Sequence, residues 1–138
     1  MRIETTYPGG VRVDAVLRGY TIPTDQPVEY GGEGTAPAPF EHFLASIATC
    51  AGFYAVQFCR KRQLATAGLA VSLDARRDPE THQLAELEIG LTLPHDFPEK
   101  YRDAIVRAID QCAVKRALEA PPRIATVVHA AEPSLVAG

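Results

Sequence analysis

One stretch limits the possible folds more than any other: "PAPFEHFLASIATCAGFYAVQFCRKR", residues 37–62. Phe40, Phe43, Leu44, Ile47, Ala51, Tyr54 and Phe58 recur at i, i+3, i+4 and i+7. That is the apolar stripe of an amphipathic helix over residues 40–62. The stretch ends in Arg60-Lys61-Arg62, which suits the negative end of a helix dipole. A helix this long with one apolar face needs an apolar surface to lie on, so the flanking segments must provide one.

The flanking segments have the period of strands. Upstream, "RIETT" (2–6) precedes a turn at Pro8-Gly9-Gly10, "VRVDAVL" (11–17) places Val11, Val13 and Ala15 on one face, and "YTIPT" (20–24) follows Gly19. "VEYGGEGTAPAP" (28–39) reads as a loop, long enough to suggest a functional role. Downstream, 69–77 and 83–93 alternate apolar and polar residues around "DPETH", which predicts a β-hairpin. Residues 95–120 read as one second helix. Asp96 is its cap, Pro98 lies in its first turn and Glu99 follows three residues after the cap. Its stripe is Phe97, Tyr101, Ala104, Ile105, Ala108 and Cys112, and Pro121-Pro122 stops it. "RIATVVH" (123–129) predicts a last strand. The expected order is β-β-β-α-β-β-α-β in one domain, residues 1–138, an α+β fold with two long helices on antiparallel sheet.

Composition excludes several classes. The net charge is −3 and the only basic run is the helix end, which argues against nucleic acid as the main partner. No apolar stretch reaches ~18 residues, so no membrane span is expected. "MRIETTYPGG" lacks a signal-peptide core, and the expected compartment is the cytoplasm. Cysteines there stay reduced unless they are catalytic or redox-sensing, and an odd count of three argues against a disulfide framework.

Helical phase separates the cysteines. Nine positions from Cys50 to Cys59 turn the helix by roughly 180° and rise ~13 Å, so these two cannot bond or share a metal while the helix is intact. No CxxC or Cys-His ligand spacing occurs, and no metal or other cofactor is expected. Cys50 lies at the border of the apolar stripe, Cys59 on the side away from it, and Cys112 on the stripe of the second helix. Each is open to two readings, a packing atom or a reactive thiol. Because Cys50 sits in the third turn of its helix, that helix's dipole gives it little help, and a thiolate there calls for a nearby cation. The four histidines, His42, His82, His95 and His129, are scattered. His42, in the first turn of the long helix, could meet a cysteine only across a dimer. "YGGEGTAP" matches no phosphate-binding pattern.

"TDQPVEYGGEGTAPAPFEHFLASIATC" and "DQCAVKRALEAP" together resemble the two motifs of the OsmC-like family, and the resemblance covers nearly the whole chain. It implies an intertwined homodimer with central long helices and active sites at the subunit interface. It further implies thiol peroxidase activity on organic hydroperoxides or hydrogen peroxide. Cys50 would be the peroxidatic thiol and Cys112 the resolving one, with a dithiol reductant, of lipoyl type in some members of the family, reopening the disulfide. Arg18, with Arg12 as the other candidate, would activate the thiolate, and Glu41 would either hold the arginine or serve the helix N-terminus, where a carboxylate is stabilised. The chain departs from the pattern at Phe40, where the family usually has Glu, and at Ala113, where it usually has Pro. Two rival readings remain: a dimer that binds a small apolar or thiol-bearing ligand, and a structural module with inert cysteines.

Overall fold

The computed structural model describes residues 1–131. Three N-terminal strands, β1 (Glu4–Gly9), β2 (Arg12–Leu17) and β3 (Tyr20–Ile22), form an antiparallel sheet in the order β1-β2-β3. Arg18 (φ 49) and Gly19 (φ 83) both take left-handed backbone at the β2–β3 turn, where Leu17 pairs with Tyr20. Two positive φ values in a two-residue loop match the right-handed twist of the strands it joins. Arg18 is therefore an exposed turn residue.

The Gly-rich segment follows, with a short 3₁₀ turn at Val28–Tyr30. Its organiser is Asp25, 1% exposed, whose carboxylate accepts from Gln26 N (2.8 Å), Glu33 N (3.3 Å), Thr35 N (3.0 Å) and Thr35 Oγ1 (2.7 Å). These bonds hold its pKa down to about 2, with burial opposing them. Gly32 is required here because a Cβ would lie 1.8 Å from the Gln26 carbonyl oxygen.

Helix α1 spans Pro39–Lys61, as the stripe predicts to within one residue. Its buried residues are Ile47, Ala51, Ala55, Phe58 and Cys59, so the buried face drifts round the axis toward the C-terminal end. Two expectations change with that drift. Phe40 is 39% exposed, and Cys59, placed by phase away from the core, is fully buried inside it. The stripe leaves out Ala55, which is fully buried and lies one turn before Cys59 on the same face. By length and mean hydropathy (1.3) α1 could cross a membrane, contrary to the sequence reading. Only 28% of its apolar stretch is buried within the chain, and Phe40, Phe53 and Val56 stand exposed on the helix.

Strands β4 (Ala70–Arg77) and β5 (Leu84–Thr92) form the expected hairpin. The turn is tied by Asp78 Oδ1, which accepts from Glu80 N (2.9 Å) and Thr81 N (2.7 Å). Val71, Ile89 and Leu91 pack against α1 and the segment after β5.

The second helix is not one rod. A 3₁₀ turn (Glu99–Tyr101) leads into α2 (Arg102–Ile109), the chain breaks at residues 110–112, and α3 (Ala113–Glu119) follows. Asp96 caps nothing, because its carboxylate meets the His95 ring (2.9 Å) in solvent. The predicted stripe does describe the buried side: Phe97, Ile105 and Cys112 are buried, Tyr101, Ala104 and Ala108 are half-buried, and Ile109, which the stripe leaves out, is buried with them. Truncating the fully buried Ile105 to Ala would cost about 2–5 kcal/mol.

The predicted strand at 123–129 is irregular, with Ile124, Val127 and Val128 exposed. Its composition suits a strand, but no strand edge in the described residues pairs with it. The N-terminal sheet is joined to the rest mainly through the loop, by Asp25 N to Pro37 O (3.4 Å) and the His42 ring to Pro23 O (2.9 Å). The chain exposes 10839 Å², against about 7,000 Å² expected for a compact monomer of this mass.

Candidate active site

The break between α2 and α3 places Cys112. Its N–H donates to Ile109 O (2.9 Å) to close the last turn of α2, and its own carbonyl accepts from Arg116 N (3.0 Å) to open α3. Its sulfur is the cap of α3, accepting from Lys115 N at 3.5 Å. Lys115 Nζ reaches back to Asp110 Oδ1 (2.5 Å) and so ties α3 to the turn.

Cys50, half-buried on α1, faces this junction. Its sulfur meets the Cys112 thiol and the N–H groups of Val114 and Ala113. Burial pushes the Cys50 thiol up. Hydrogen bonds from the Cys112 thiol and from the Val114 and Ala113 amides overcome this and leave it below its ordinary value. Cys112 goes the other way, raised by burial and by its bond and charge interaction with Cys50, with the Lys115 and Val114 amides opposing. The first proton of the pair therefore leaves from Cys50, and Cys112 remains its hydrogen-bond donor. Both thiols are free.

Two features of this site were not visible in sequence. The stabilising groups are backbone amides, which any non-proline residue carries, and they converge only because the helix breaks. The expected cation is absent from the groups that shift Cys50. Ala113, which stands where the resembled motif usually has Pro, brings an N–H that Pro would lack.

The other candidates lie apart from the thiols. Glu41 Oε2 accepts from Ala38 N (2.7 Å) across the first turn of α1. Ala38 has no side-chain acceptor to return the bond, so only half of a capping box forms. Arg18 makes no ion pair among the described residues and sits at the hairpin turn. Arg12 is half-buried, bonds Asp14 (3.3 Å) and keeps a buried Nε without a partner. It lines a cleft of about 320 Å³ with Asp25, Gly31 and Gly32. His42 is held by Pro23. Cys59 is buried, and burial raises its pKa against the pull of Arg62. No group of three metal-ligating side chains occurs among the described residues.

The fold has counterparts among known proteins. A family model described as OsmC-like protein matches residues 32–127. A candidate osmotic stress induced and detoxification response protein from Psychrobacter arcticus superposes with a TM-score of 0.70 at 21% identity, over 83% of this chain and 85% of that one. An OsmC like protein from Mycoplasma pneumoniae gives 0.66 at 13% identity, over 86% of each chain. An organic hydroperoxide resistance protein OsmC from Legionella pneumophila gives 0.53 at 16% identity, over 85% and 87%. At these identities the likeness is one of fold. No curated protein sequence matches the chain.

Proposed function

The chain belongs to the OsmC-like protein family, and on that premise we propose that it is a cytoplasmic, dimeric thiol peroxidase acting on organic hydroperoxides or hydrogen peroxide. One observation carries the reading: the Cys50 sulfur faces the Cys112 thiol and two backbone amides, which together favour its thiolate. A Legionella relative in fold is called an organic hydroperoxide resistance protein.

In this reading the Cys50 thiolate attacks one peroxide oxygen and the O–O bond breaks. The alcohol, or water, leaves after taking a proton, and Cys50 becomes a sulfenic acid. The Cys112 thiol attacks the sulfenic sulfur, the hydroxyl leaves as water with the Cys112 proton, and a Cys50–Cys112 disulfide forms. An external dithiol, such as a dihydrolipoyl group, returns two electrons and two protons. The large exposed surface, the nearly detached N-terminal sheet and the bare apolar segment at 123–129 support an intertwined homodimer. The partner's N-terminal sheet would then bring an arginine to each thiol site. Arg18 and Arg12 compete for that role, and Arg12 is the better prepared because part of its guanidinium is buried and unpartnered. Glu41 could then hold that arginine with its other carboxylate oxygen.

The test is turnover of cumene hydroperoxide with a dithiol. Wild type turns over and Cys50→Ser does not; turnover that survives the substitution sinks the mechanism. A second reading, a ligand-binding dimer with Cys50 lining its cleft, draws on the lack of a cation beside Cys50 within the described protomer. Failure of the wild type to turn over, with saturable binding of an apolar thiol, would favour it.

A further inference from the structure

A second cleft lies along the same pair of helices, toward the C-terminal end of α1. Its volume is about 360 Å³, at the low end for ligand pockets. Lys61 and Arg62 of α1 and Arg107 of α2 stand around it, with Gln57, and Phe58, Ala104 and Ala108 form its apolar part. Lys61 is eleven residues beyond Cys50, roughly 16 Å along the helix, so the cleft is separate from the thiol pair.

Three cationic residues line the cleft and no carboxylate does. The nearest acids by sequence, Asp110 and Asp103, lie three and four residues from Arg107; Asp110 pairs with Lys115, and neither makes an ion pair with Arg107 among the described residues. The chain as a whole is acidic, at −3. Dipole compensation accounts for only part of this. Each helix C-terminus carries about half a negative charge, so two ends offset about one of the three positive charges. The donors are also partly set in place. The Arg62 guanidinium stacks 3.8 Å from the centre of the Phe58 ring, leaving its N–H edges free. The Gln57 side-chain oxygen accepts from Lys61 Nζ (3.4 Å), so the Gln57 amide N–H₂ is left to donate. The cleft thus presents donors and positive charge and no free side-chain acceptor.

We infer that this cleft binds a doubly charged oxyanion of phosphate type, held by Lys61, Arg62 and Arg107. Guanidinium forks match such an anion in geometry as well as in charge. The site goes beyond the thiol chemistry and does not depend on it.

The experiment is isothermal titration of the full-length protein with inorganic phosphate at fixed ionic strength. The expected result is saturable binding, weakened about tenfold by Lys61→Gln and again by Arg107→Gln, as loss of one charged hydrogen bond implies. Both substitutions are at exposed positions, and far-ultraviolet circular dichroism checks that each variant folds. Arg62 is left intact because it packs on the core. Absence of saturable heat, or binding that the double variant retains in full, overturns the assignment. Peroxide turnover by the two variants is expected to match wild type, which keeps this test distinct from that of the thiol mechanism.

Discussion

The Cys50 thiol faces the Cys112 thiol across the junction of α1 and α3, and the two are displaced in opposite directions, Cys50 downward and Cys112 upward. Two otherwise similar groups thus become an acceptor and a donor. The asymmetry comes from position: Cys50 meets amides at the start of α3, while Cys112 is buried beneath it.

Alkylation should read this order directly. With iodoacetamide, Cys50 reacts first and its rate rises through a pH midpoint below that of an ordinary thiol, because only the thiolate reacts. Cys112→Ala removes a hydrogen bond to that thiolate and should slow Cys50 alkylation at pH 7 by about tenfold. Peptide mapping after timed alkylation checks both. Cys59 reacting before Cys50 would contradict the account.

Ala113 offers a backbone test. Proline is tolerated in the first position of a helix, so Ala113→Pro should fold. It removes one N–H facing Cys50 and should slow thiol alkylation at neutral pH several-fold. Ala113→Gly keeps the N–H and should leave the rate within about twofold. Equal rates in all three proteins would show that the amide does not act on Cys50.

Much of this was legible in the sequence, for identifiable reasons. The α1 boundaries and the β4–β5 hairpin follow from strong periodicity, and the stripe that ends in Cys112 correctly put that residue inside. The break before Cys112 was not legible, because Asp110, Gln111 and Ala113 are all acceptable in a helix and the break is imposed by packing. Cys59 was misplaced because the stripe omitted Ala55, the fully buried residue one turn before it. The strand at 123–129 has the right composition, but a strand exists only with a partner edge, and composition does not say which chain supplies it. The role of Asp25 was missed because one acidic residue in a polar loop looks like any other.

Asp25 makes stability depend on acid. Its folded pKa, about 2, lies below the ordinary 3.8. The stabilisation is therefore fully present above about pH 4 and is lost as pH falls through about 2. Asp25→Asn should lower the thermal midpoint at pH 7 and flatten its fall below pH 4. Melting curves from pH 7 to pH 2 check this, and parallel curves for the two proteins would contradict it.

Assembly is the next test. Light scattering should give twice the 14.9 kDa chain mass. Phe53, exposed on the outer side of α1, is a candidate contact, and Phe53→Asp should shift the population toward monomer. A wild-type monomer at micromolar concentration would remove the basis for an arginine supplied by the partner.

The central claim is the division of labour between Cys50 and Cys112. The most direct measurement is mass mapping of the protein after one equivalent of cumene hydroperoxide, without added reductant. The predicted product is an intrachain Cys50–Cys112 disulfide, with Cys59 still a thiol. Recovery of both Cys50 and Cys112 as free thiols, or oxidation confined to Cys59, would contradict it.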